Sequence, residues 1–127
     1  RVVFRVQRAA DIVRTLRWSK RHNIKIALLG ASEAWRVADQ IAAAKVPVLI
    51  DALAALPGSF DQIFASSGNA TRLNAAGVAV SFSQSDDASH NARKVRQLAG
   101  NAVANGYKHG ARVVTAAAAA PVTEGFG

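Results

Sequence analysis

The chain has 127 residues, half of them hydrophobic, with a formal net charge of +8 and neither cysteine nor methionine. That length suits one domain or part of a larger one, and the missing cysteines exclude a disulfide framework and any thiolate metal site. No apolar run reaches the ~20 residues of a membrane span and the start is not a signal peptide, so no membrane partner is expected and a cytoplasmic location is favoured.

The chain begins at Arg1 and already runs as a strand, so the expectation is a fragment of a longer reading frame. Val2–Val6 is a short β-branched run and reads as that strand. From Arg8 to about His22 the spacing predicts a helix. Ile12, Val13 and Leu16 fall on one side of it, with Arg14, Arg17 and Arg21 on the other. Asn23 ends it. Ile24–Leu29 is nearly continuous in apolar residues and reads as a strand buried on both faces. Gly30-Ala31-Ser32 turns the chain, and Ser32 is an N-cap for a helix over Glu33–Ala44. Ala34, Val37, Ala38 and Ile41 form the inner stripe of that helix, with Trp35 beside it.

Val46–Ile50 is the third strand, with Pro47 near its start. Asp51–Ser59 is an apolar loop, and Phe60–Gly77 is helical with a break at Ser66-Ser67-Gly68. Leu73 and Ala76 face inward and Gly77 caps the helix end. Val78–Ser83 is the fourth strand, Ser85–Ser89 a polar loop, and His90–Asn105 a helix ended by Gly106. A last helix runs from about Gly110 to Ala120, stopped by Pro121.

This alternation predicts an α/β segment of four parallel βα units joined by right-handed crossovers. Two architectures share that local pattern: half of an eight-stranded barrel, or a small open doubly wound sheet. An isolated half barrel would expose two strand edges and need a missing half or a second copy to cover them. The basic residues follow helical faces and form no run of five, so a solvated surface is expected rather than a specific nucleic-acid site.

In both architectures chemistry sits at the carboxyl ends of the strands. The first such end offers Arg5, Gln7 and Arg8, the second Ser32 and Glu33, and the third Asp51. The fourth, in the stretch SFSQSDDASHNARK, offers Asp86, Asp87 and His90. One of those two Asp residues could bind a metal or act as a general base, but spacing alone favours either of them as the cap of the following helix. No His-x-His, His-Glu-x-x-His, Gly-x-Ser-x-Gly or Walker pattern is present.

The stretch from Arg5 onward, with RAADI, LGASEAW, VAD and VPVLID in that order, resembles the later strands of metal-dependent amidohydrolases of the imidazolonepropionase-like branch. NATRLNAAGVAVSFSQSDDASHNARKVRQLAGNAVANG is similar to the last strand of that family and its following helix. The resemblance implies a TIM-type (β/α)8 barrel, of which residues 1–127 would be one segment holding the fifth to eighth strands. It implies hydrolysis of C–N bonds with a divalent metal such as zinc in the full-length relative. The last-strand metal ligand would be Asp86 or Asp87, and His would be expected near Arg5 or Gln7 and near Gly30–Ser32. No His stands at those places, so the fragment alone is expected to hold no metal and to be inactive.

The alternative is a non-catalytic module. It would bind a small anionic or amide ligand over Arg5, Arg8, Ser32 and His90, or self-associate through open sheet edges.

Overall fold

The computed structural model describes residues 2–50, 66, 68–82, 100, 104 and 106. Within them lie β1 (Val2–Val6), α1 (Ala9–His22), β2 (Ile26–Gly30), a 3-10 turn (Ala34–Arg36), α2 (Ala38–Ala44), β3 (Val48–Ile50), α3 (Asn69–Ala75) and β4 (Val80–Phe82). The expected loop at Asp51–Ser59 and the expected last helix fall outside the described residues, as does the expected helix His90–Asn105 apart from Gly100 and Ala104.

All four strands are parallel and stand in the order β1-β2-β3-β4. A doubly wound sheet needs a switch point where the strand order reverses. None occurs among the four described strands, so that alternative is set aside. The helices agree: α1 touches α2 and α2 touches α3. A sheet standing between two helices would keep them apart, so the three form one layer. This one-sided α/β arrangement agrees with a stretch of barrel wall.

The core lies between that layer and the sheet. Ile12 and Leu16 of α1, Ile41 of α2 and Leu73 of α3 join Leu28, Val48, Ile50 and Phe82 in one buried cluster. Each such side chain contributes about 1.5–3 kcal/mol by leaving water. Phe4 and Val6 pack against this cluster from β1, and Trp18 of α1 sets its ring edge-on to Phe4 at 5.4 Å.

Each of the three helices α1, α2 and α3 ends the same way. Asn23, Lys45 and Gly77 take positive φ of 52°, 53° and 82°. The residue after each donates its N–H back to the last turn: Ile24 to Ser19, Val46 to Ile41 and Val78 to Leu73. These paired bonds are Schellman closures, in which an apolar residue just past the helix packs down. The next strand begins three residues after each positive-φ residue, at Ile26, Val48 and Val80. The repeat of the βα unit is thus written in helix-stop geometry more than in residue identity.

The expected helix over Glu33–Ala44 divides into the 3-10 turn and α2, and Ser32 does not cap it. Long-range bonds claim the groups that a local cap would have used, as described next.

Candidate functional site at the carboxyl ends of the strands

Strand residues alternate between faces. Phe4 and Val6 face the helices, so Val3 and Arg5 face the other way. In register with Arg5 stand Leu29, then Leu49, then Ser81. Leu29 and Leu49 are half-buried and lie outside the core cluster, as this placement requires. Arg5 is exposed. It therefore presents a permanent cation on the sheet face opposite the described helices, in the row nearest the strands' carboxyl ends.

Past the ends of β1 and β2 a buried polar network forms. The β1–β2 ladder continues beyond the strands: Ala31 N–H donates to the Val6 carbonyl at 2.6 Å and Glu33 N–H to that of Gln7 at 3.0 Å. The Gln7 side-chain oxygen accepts a hydrogen bond from the Ser32 hydroxyl and a second, at 3.3 Å, from the Ser32 N–H. Its amide lies across Gly30, where a Cβ would sit 2.5 Å from Gln7 Nε2. Gly30 also has φ of +87°. Both facts favour a residue without a side chain there. Ala31 follows with φ of +44°, an unusual value for a residue with a Cβ.

Glu33 is the buried charge of the group. Its carboxylate accepts the Ala9 N–H at 2.9 Å and stands 3.8 Å from an Arg36 guanidinium nitrogen. Ala9 opens α1, whose N-cap residue, Arg8, supplies no side-chain cap. Glu33 therefore does for α1 what a local cap would do, from 24 residues away. Asn69, at the start of α3, closes the network. Its side-chain oxygen accepts the Trp35 N–H at 2.9 Å and its amide donates to the Ala31 carbonyl at 3.0 Å. Trp35 in turn lies under Arg72, whose guanidinium carbon is 4.6 Å from the ring centroid.

The predicted site residues thus separate. Arg5 lies on the open sheet face and Arg8 at the exposed start of α1. Ser32 is buried, with its hydroxyl turned to Gln7. Asp86, Asp87 and His90 lie outside the described residues. His22 is exposed at the end of α1, 5.0 Å from the Trp18 ring. Of this network Gln7, Ser32 and Glu33 were named from sequence at the strand ends, and Asn69 was not. Asn69 carried a signal: it shares a helical stripe with Leu73 and Ala76, and a polar residue on a buried stripe needs a partner.

A divalent metal would require ionised or neutral donors aimed at one point. At the ends of β1 and β2 the one carboxylate is engaged by Ala9 and Arg36, and Arg5 brings positive charge to the same edge. These two strand ends do not fit a metal, and among the described residues no group of three His, Asp or Glu side chains converges.

Neither the family models nor the curated proteins contain a match to this sequence. Among solved structures, an amidohydrolase from Thermotoga maritima MSB8 superposes with a TM-score of 0.75 at 19% identity. The superposition covers 84% of this chain and 28% of that one. The chain thus spans little more than a quarter of that enzyme's length and shares the fold of the matched part.

Proposed function

We propose that this chain forms part of the wall of an amidohydrolase-type barrel, with β1–β4 as its fifth to eighth strands, and that by itself it does not hydrolyse C–N bonds. The observation that carries the reading is the Gln7–Ser32–Glu33–Asn69 network. It fills the ends of β1 and β2, where the imidazolonepropionase-like resemblance would put metal-binding His, with polar groups already engaged by neighbouring side chains and backbone. Strand order and the single helix layer support the barrel part, as does the superposed amidohydrolase. β1 is an edge strand of the described sheet, with Val2 41% and Val3 54% exposed; such an edge invites pairing with another strand, from further barrel strands or a second copy.

The test is metal content and hydrolysis of cyclic amides on one zinc-equilibrated sample, with its mass read by light scattering. The expected result is substoichiometric metal and no turnover. Stoichiometric metal, with turnover lost in Asp86→Asn or Asp87→Asn, would overturn the reading.

A second reading, an anion-binding module, is favoured by the exposure of Arg5 on the open face. Phosphate or a dicarboxylate should then raise the melting temperature of the native chain but not of Arg5→Ala. Equal shifts in both would remove Arg5 from that role.

A further inference from the structure

A concavity lies at the opposite end of the sheet, between the carboxyl ends of α1 and α2. Its volume is about 780 Å³, within the ~300–1,000 Å³ typical of small-molecule sites. The buried side chains Leu16, Ile26 and Val46 give it an apolar floor. Arg17, Lys20, Lys25 and Lys45 stand exposed around it, and among the described residues no carboxylate lines it. Among the described residues none of these four cations is in an ion pair.

Cations near helix carboxyl ends have an ordinary role, which is to offset the helix dipole. Two helices end at this groove, each carrying roughly half a negative charge at its terminus. Together they offset about one positive charge of the four, leaving a surplus of about three. That surplus is more than helix stabilisation uses, and it surrounds a surface from which water is readily displaced.

We propose that this groove binds a small organic polyphosphate of the nucleotide class, with its phosphates on the cationic rim and its ring on the apolar floor. The charge selects a multiply ionised ligand, and the floor selects one with an apolar body over a bare inorganic anion. The site is independent of the strand ends at the other side of the sheet.

The test is calorimetric titration of the whole chain at low ionic strength with ATP, and separately with inorganic triphosphate. ATP is expected to bind more tightly than triphosphate. The triple variant Lys20→Gln/Lys25→Gln/Lys45→Gln should weaken ATP about tenfold or more, on the scale of several exposed charge pairs. The control Arg14→Gln/Arg21→Gln removes charge from α1 outside the groove and should change binding by less than about threefold. Thermal melting confirms that both variants fold. Equal losses in the two variants would mean a generally basic surface and overturn the proposal. So would triphosphate binding as tightly as ATP, or no binding of ATP by the native chain.

Discussion

The two ends of the sheet use polar residues in opposite ways. At the carboxyl ends of β1 and β2, Ser32, Glu33 and Asn69 are buried and bonded across 24 to 38 residues of sequence. At the amino ends, Arg17, Lys20, Lys25 and Lys45 stand in solvent around an open groove. A buried polar group must be paired, because an unpaired one costs about 1–3 kcal/mol, whereas an exposed ammonium keeps its water. The described carboxyl ends, those of β1 and β2, therefore help hold the fold together, whereas the cations at the amino ends remain in solvent. In a βα-barrel wall the usual assignment is the reverse, with chemistry at the carboxyl ends and stability at the amino ends.

Three substitutions probe that contrast. The largest effect is expected from Asn69→Ala, which takes away the acceptor of the Trp35 backbone N–H and one of the two donors to the Ala31 carbonyl, the Ala34 N–H being the other. The chain should lose about 2–4 kcal/mol of stability in urea unfolding. A loss below about 1 kcal/mol would show that water reaches these groups and that the carboxyl end is not closed.

Next comes Gly30→Ala, which puts a Cβ against the Gln7 amide at a positive φ. A loss of about 1–3 kcal/mol is expected. Pairing it with Gln7→Ala sharpens the point, because the double variant should lose less than the sum of the single ones. Strict additivity would mean that the backbone angle alone sets the need for glycine.

The smallest effect has the opposite sign. Lys45 holds a φ that glycine adopts without a Cβ penalty, so Lys45→Gly should stabilise the chain by about 0.5–1 kcal/mol. A loss would mean that the lysine side chain packs at the amino end instead of standing free.

Much of the fold was legible in local pattern. The β-branched run Val2–Val6 is β1 as expected, the Ile12–Leu16 stripe makes α1, and Asn23 stops it. Leu73 faces the core and Gly77 closes α3, again as expected. The turn after β2 was misread. Ser32 at the head of a periodic run has the form of an N-cap, but Gln7 reaches it first, and the helix divides at Val37. Lys45 gave no sign of a left-handed stop, since lysine is not enriched there. For the candidate site, strand alternation alone places Arg5 and Phe4 on opposite faces. Which of those faces the helices cover was not readable.

The sequence by itself determined the four strands, the helices that connect them and the apolar stripes that meet in the core. Those follow from side-chain periodicity and helix-stop chemistry acting over a few residues. Only the tertiary structure decided that the strands run in unbroken order under one helix layer. It also decided that Glu33 caps a helix 24 residues upstream and that four cations surround one groove. These facts depend on which distant surfaces come together. The same local pattern is compatible with several such arrangements, and burial of the shared core selects among them.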